Sequence, residues 1–204
     1  VAINAMERQP WEIVVNSDGK RFVQEDHESI DHIEHQIGKQ SAHRHWTIMD
    51  QRMLNEMPPM IYDWSNERIA KEANNHVMFK SGSSIRELAI KTGLHPVNLE
   101  NTVNDFNSNI KNNQSDSFGR LHRPLAIEQG PYYSVRMSGW SLCSFAGLGV
   151  NENFEVIRPT GEPIKNLYAI GEVIGFGATS GNAYVNGMGV TPALTYGRLL
   201  GQRI

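Results

Sequence analysis

The stretch GEVIGFGATSGNAYVNGMG, residues 171–189, places six glycines in nineteen positions and runs directly into VTPALTYGRLLG, residues 190–201. Glycine lowers stability unless the chain must adopt φ > 0 or something must lie against the main chain. The preceding NLYAI (166–170) reads as a strand. The following helix reads with Thr191 at its N-cap and Pro192 at its first position. A strand, a glycine-rich loop and a helix make a site at a helix N-terminus. There the first amide N–H groups have no intrahelical partner and the dipole favours negative charge. A phosphate suits such a site. So does a flat, electron-poor ring that gathers negative charge on reduction. Simple tight turns also take this form, so the pattern alone leaves both readings open.

Of flat rings, a flavin gathers charge at one edge when reduced. Amides of Gly189, Val190 and the first helical turn would stabilise that charge. Glu172, just past the strand, is placed to accept hydrogen bonds from cofactor hydroxyls.

Upstream of the loop, YYSVRM, LCSFAGLGV and FEVI read as further strands from residue 132 onward. Before them lies the clearest helical signal. Ser84 and Glu87 form a capping box, Gly93 ends the short helix IRELAIKT, and Pro96 opens a second helix. That second helix places Leu99, Val103, Phe106 and Ile110 on one face. A helix over residues 66–77 would align Ile69, Ala73 and Val77, while Pro58-Pro59 keeps the segment before it irregular. Near the start, Trp11–Val15, the turn Asn16–Gly19 and Arg21–Val23 read as strand, turn and strand, and TIMD (47–50) as a short strand.

The fold expected is α+β, in two units. Residues 1–131 form a mixed α/β unit, and residues 132–204 form strands closed by one helix. The second unit is too small to bury much apolar surface alone and reads as part of a larger sheet domain.

Composition excludes several classes. The net charge is −3 and no basic run exceeds Lys20-Arg21, so no nucleic-acid footprint is expected. No apolar stretch approaches the roughly 18 residues of a membrane span, and the opening segment has no signal-peptide core. The chain starts at Val1 and reads as a piece of a longer one. Cys143 is the single cysteine, which fits a reducing compartment such as the cytoplasm. Five of the eight histidines lie in residues 27–46. His32 and His35 would share a helix face, but the spacing matches no metal-ligand pattern, so no metal is expected.

The segments WEIVVNSDGKRFVQED, SSIRELAIKTGLHPVNLENTVNDFNSNIKNNQSDSFGR, GPYYSVRM and IKNLYAIGEVIGFG…NGMGVTPALTYGRLLG resemble, in that order along the chain, one flavoprotein family. It includes fumarate reductase and succinate dehydrogenase flavoproteins and the 3-ketosteroid dehydrogenases. The resemblance implies a substrate-capping domain over 1–131, and the last part of an FAD-binding domain over 132–204. The family's GxGxxG half does not appear in this chain. It further implies FAD held by Gly171, Glu172, Gly189 and Val190, and a small-molecule substrate.

Three positions depart from the fumarate-type pattern. Ser29 stands where an arginine follows the glutamate of RFxxE, Cys143 near a histidine position, and Tyr184 where the loop has an arginine. Loss of these clamps argues against a dicarboxylate. Tyr184 is nearer the steroid-dehydrogenase branch, where a loop tyrosine polarises a substrate carbonyl, although Gly-Pro-Gly does not follow it. As plain structure, Tyr184 is an aromatic packed on the core and Cys143 a small hydrophobe on a strand. The reaction implied is dehydrogenation of a C–C bond or reduction of an activated C=C bond. The rival is a non-catalytic fragment or recognition module that does not hold FAD alone.

Overall fold

A computed structural model describes residues 8–139, 143–181 and 187–204, which fall into two units divided after Gly139. The first is built on an antiparallel sheet in the order β1-β2-β4-β3, with β1 at Ile13–Val15, β2 at Arg44–Asp50, β3 at Phe79–Gly82 and β4 at Tyr132–Ser138. β4 pairs along its whole length with β2, from Arg44↔Ser138 to Asp50↔Tyr132, and on its other edge with β3. The expected boundary at 131/132 is therefore displaced to 139/140. Residues 132–138 read correctly as a strand, but their partners are the strands of the first unit.

Local chemistry explains most elements. Asn16 closes the turn after β1, its Oδ1 accepting from the N–H groups of Asp18 and Lys20, both at 3.1 Å. The return strand expected at 21–23 reduces to a single bridge, Val15↔Arg21. Helix α1 spans Ile30–Gly38 and α2 spans Gln51–Glu56. Helix α3 covers Asn66–Glu72 and stops short of the expected Val77, because Asn74 turns left-handed at φ 67°. Val77 is exposed as a result. Helices α4 (Ile85–Thr92) and α5 (Pro96–Lys111) form as predicted. Ser84 Oγ accepts from the Glu87 N–H at 3.1 Å, while the Glu87 carboxylate reaches back to the Ser83 N–H at 2.7 Å. Gly93, left-handed at φ 78°, ends α4. Leu99, Val103 and Phe106 are buried on one face of α5.

Two polar assemblies hold this unit. Asp50, fully buried at the end of β2, caps α2 by accepting from the Met53 N–H at 2.8 Å. Its other oxygen accepts from the N–H groups of Glu128 and Gln129 at 2.7 and 2.8 Å. The larger assembly joins RFVQED (21–26) to DSFGRLH (116–122). Arg21 donates to Glu25 at 2.8 and 2.6 Å and to Asp116 at 2.5 and 3.1 Å. Burial pushes the Asp116 carboxyl up, but the Arg21 guanidinium and the Phe118 and Arg120 amides hold it below the usual carboxylate range. Arg120, 1% exposed, donates to the carbonyls of Glu12 and His122 at 2.7 and 2.8 Å and lies 3.5 Å from Glu25. Asp26 accepts from the N–H groups of Leu121 and His122 at 2.8 and 2.7 Å.

The second unit is smaller. β5 (Glu155–Ile157) and β6 (Pro163–Tyr168) form a hairpin. A 3₁₀ turn (Gly171–Ile174), the one-turn helix α6 (Gly177–Ser180) and helix α7 (Val190–Gly201) follow. Its core is Val156, Ala169 and Ile174, with Val150, Ile164 and Tyr196 against them. The strand expected over 142–150 does not form within 143–149. The segment instead bonds to the glycine loop, with Leu148 N–H donating to Val173 O at 2.9 Å and Phe176 N–H to Ser144 O at 2.8 Å. Helix α7 starts at Val190 with Gly189 as N-cap. Thr191 is thus its second residue, and Pro192 its third, where a missing N–H still breaks no intrahelical bond. No helix among the described residues is long and apolar enough to cross a membrane.

Breaking one partner of a buried ion network costs about 3–5 kcal/mol, whereas an exposed pair contributes about 0–1 kcal/mol. Asp116→Ala is therefore expected to destabilise the first unit by about 3 kcal/mol in urea titrations. Arg52→Gln, which breaks the exposed pair with Glu56, should change stability by less than about 0.5 kcal/mol. Tryptophan fluorescence reports this unit through Trp11, Trp46 and Trp64.

His45 on β2 is 8% exposed, its Nδ1 has no hydrogen-bond partner, and burial pushes its pKa down to about 4. The unfolded chain then binds a proton that the folded chain refuses. Stability from this group is intact above pH about 6.5 and is lost progressively as pH falls towards about 4, by about 3 kcal/mol at most. In urea titrations across that range, His45→Leu is expected to flatten this part of the decline. An unchanged slope would refute the assignment.

Candidate flavin site

The recess in the second unit is formed where the 3₁₀ turn, α6 and the start of α7 converge. Gly171, Glu172, Phe176, Thr179, Gly189 and Pro192 line it. Three residues that the sequence singled out, Gly171, Glu172 and Gly189, thus come together around one concavity. Val190 adjoins it at the first position of α7 and is 66% exposed. The Glu172 side chain is exposed, while its carbonyl accepts from the Gly175 N–H at 2.9 Å and so closes the 3₁₀ turn. As N-cap, Gly189 offers no side-chain acceptor to the first turn of α7. The backbone there therefore faces the recess without a capping side chain between.

The glycines divide into two kinds. A Cβ on Gly175 would lie 2.6 Å from the Phe145 carbonyl oxygen, and one on Gly147 would lie 2.1 Å from the Gly175 nitrogen. These two glycines exist so that two stretches of backbone can touch. A Cβ on Gly189 would meet only the Phe176 ring at 3.4 Å, an ordinary contact, and its φ is −78°. Among the described residues, neither backbone geometry nor internal packing demands glycine at 189. Some of the six glycines read from the sequence as a ligand cradle are thus accounted for by packing.

Other expected positions lie elsewhere. Ser29 is in the first unit as the N-cap of α1, its Oγ accepting from the His32 N–H at 3.3 Å. Cys143 is half-buried and, contrary to expectation, not on a strand. Tyr184 lies outside the described residues. Among the described residues, no three His, Cys, Asp or Glu side chains are grouped so as to hold a metal ion. The Arg21–Glu25–Asp116–Arg120 assembly was missed at the level of sequence. Its signal was present in part, as Arg21 and Glu25 at i and i+4 and Asp116 and Arg120 at the same spacing.

The recess brings glycine backbone, the N-terminal end of α7 and Glu172 to one place. The chain is 27% identical over 189 residues to a probable fumarate reductase, Ifc3, of Shewanella frigidimarina, covering 93% of this chain and 30% of that protein. The structure of an open flavocytochrome c3 fumarate reductase superposes with a TM-score of 0.69 at 26% identity, over 98% of this chain and 33% of that one. A 3-ketosteroid delta1-dehydrogenase from Sterolibacterium denitrificans shares the fold, with a TM-score of 0.74 at 20% identity over 95% of this chain and 38% of that one. The chain thus spans about a third of the length of these relatives. Residues 6–190 match the model of the FAD binding domain family, so the α+β chain with its glycine-edged recess belongs to that family and its cofactor is FAD.

Proposed function

We propose that this chain supplies the substrate-capping unit and the last part of the FAD-binding domain of an oxidoreductase acting on CH–CH bonds, either dehydrogenating a C–C single bond or reducing an activated C=C bond. The observation that carries this reading is the gathering of Gly171, Glu172 and Gly189 around one recess, in a chain of the FAD binding domain family. Bound FAD supplies the two-electron acceptor or donor of hydride. Glu172 accepts hydrogen bonds from the cofactor, and its exposed carboxylate needs no rearrangement to do so. The amides of Gly189 and Val190 stabilise negative charge at the cofactor edge. Gly171 and Gly189 keep the main chain open to a flat ring. Tyr184 is the residue proposed to hold the substrate carbonyl by a donated hydrogen bond and to handle the accompanying proton.

Ser29 and Cys143 are proposed as substrate-side positions. Neither carries positive charge, which favours a carbonyl-bearing apolar substrate over a dicarboxylate. A second reading is that the 204 residues alone do not retain FAD. The small core of the second unit favours it, as do the exposed Val190, Val173 and Leu194. The missing half of the FAD-binding domain is then the partner that completes the site.

Visible absorption of the whole protein and of residues 1–204 tests both readings. Flavin bands are expected in the whole protein, and their absence even after incubation with FAD would remove the oxidoreductase assignment. Bands in the whole protein alone would establish the second reading for the piece. Within the whole protein, Glu172→Ala removes charge-assisted hydrogen bonds of about 1.5–3 kcal/mol each. It should weaken FAD affinity by about tenfold or more in a fluorescence titration.

A further inference from the structure

Three cations fall on one face of the first unit's sheet, on adjacent strands. Side chains alternate between the two faces along a strand, and directly paired residues share a face. The pairs Arg44↔Ser138, Trp46↔Arg136 and Lys80↔Ser134 therefore put Arg44 of β2, Arg136 and Ser134 of β4 and Lys80 of β3 on the same side. Along β4, Arg136 stands two residues from Ser138 and two from Ser134. It is thus the diagonal neighbour of Arg44 on one strand and of Lys80 on the other, a spacing that long side chains bridge.

These cations are uncompensated. None of the three enters an ion pair among the described residues, whereas Arg21, Arg52, Arg86 and Arg120 all do. Asp50, the carboxylate that β2 carries on this face, is committed elsewhere, to the N–H groups of Met53, Glu128 and Gln129. Lys80 and Arg136 are half-buried, and Arg44 is exposed. Ser134, directly across from Lys80, is 1% exposed, and its Oγ has no hydrogen-bond partner. Like charges set side by side on a sheet repel, and a buried hydroxyl without a partner costs stability. Native folds leave few such groups, and an ion is one of the things that satisfies them.

We propose that Arg136, Lys80 and Ser134 form an oxyanion site, with Arg44 at its outer end, which takes the phosphate or carboxylate group of a small molecule. An oxyanion cancels the repulsion among the cations and accepts charge-assisted hydrogen bonds from the guanidinium and the ammonium. The Ser134 hydroxyl adds a neutral donor. Half-burial of Lys80 and Arg136 suits a small group seated among side chains, since a broad acidic protein face would need all three charges exposed. The site lies in the first unit and shares no residue with the glycine recess.

Amide NMR of the 204-residue chain tests this. Inorganic phosphate and malonate are titrated separately, each against chloride at a constant ionic strength of about 0.15 M, so that general screening is matched. Saturable shifts of the Lys80, Ser134 and Arg136 amides are expected with at least one probe, half-complete below about 1 mM. A response to phosphate alone or to malonate alone identifies the group that the site takes, and both probes acting supports a general oxyanion site. In a Lys80→Gln/Arg136→Gln variant the same shifts should need at least about tenfold more probe, as the loss of charge-assisted hydrogen bonds requires. The proposal is overturned if neither probe gives saturable shifts at these amides, or if chloride reproduces them, which would mark an adventitious ion only. Equal affinity in the variant overturns it as well. Should the double variant not fold, Lys80→Gln alone is judged by the same loss of affinity.

Discussion

Arg21 is the residue on which the first unit turns. Its guanidinium binds Glu25 four residues on and Asp116 ninety-five residues on, with all three side chains 5% exposed or less. Taking these charges out of water is costly, and the cost is offset only because nearly every lone pair and N–H is used. Glu25 also accepts from the Val14 N–H at 3.0 Å and so covers the open edge of β1. Asp116 also accepts from the Phe118 N–H at 2.9 Å and shapes the loop that delivers Arg120. The guanidinium groups of Arg21 and Arg120 each lie 5.5 Å from the Phe106 ring centroid, which ties α5 to the same point. Remove the ion network and the loop before β4, α5 and the β1 edge all lose a common anchor.

The second unit rests on a different constraint, the contact of backbone with backbone. The segment 144–148 and the loop 173–177 exchange hydrogen bonds at a distance that only glycine at 147 and 175 permits. This contact fixes the 3₁₀ turn, and through it the position of Glu172 at the recess. Packing contributes little here, since among the described residues the buried cluster is Val156, Ala169 and Ile174. A unit with so small a core holds its shape through hydrogen-bonded loops, and the recess at Gly171, Glu172 and Gly189 is one of the things those loops build.

How much of this was legible depends on where the determinants lie. Helices α4 and α5 were readable almost to the residue because their signals are local, in Ser84, Glu87, Gly93 and Pro96. The strand 132–138 was readable as a strand but not as a member of the first sheet, because pairing with Arg44–Asp50 is a long-range choice that no window around it encodes. Helix α2 was hidden because its N-cap, Asp50, reads equally well as the last residue of a strand, and it is both. Residues 143–149 alternate as a strand does, yet Gly147 and Gly149 let them run against a loop instead. That Gly171, Glu172 and Gly189 gather at one recess follows from the strand–loop–helix order around the glycine-rich loop. Which glycine serves backbone packing, as Gly175 does, is not legible, since any demand for a bare backbone leaves the same letter in the sequence.

The same ambiguity governs Ser29. Read by position, it replaces an arginine in a substrate clamp. Read by structure, it is an N-cap whose N–H donates to the His27 ring and whose Oγ accepts from the His32 backbone N–H. An arginine at this position would lack the short side-chain oxygen that caps the helix. A serine here thus exchanges a long cation reaching outward for a short hydroxyl bonded to its own chain. A cationic clamp and a helix N-cap are alternative uses of the same turn, and the bonds around Ser29 are those of the N-cap.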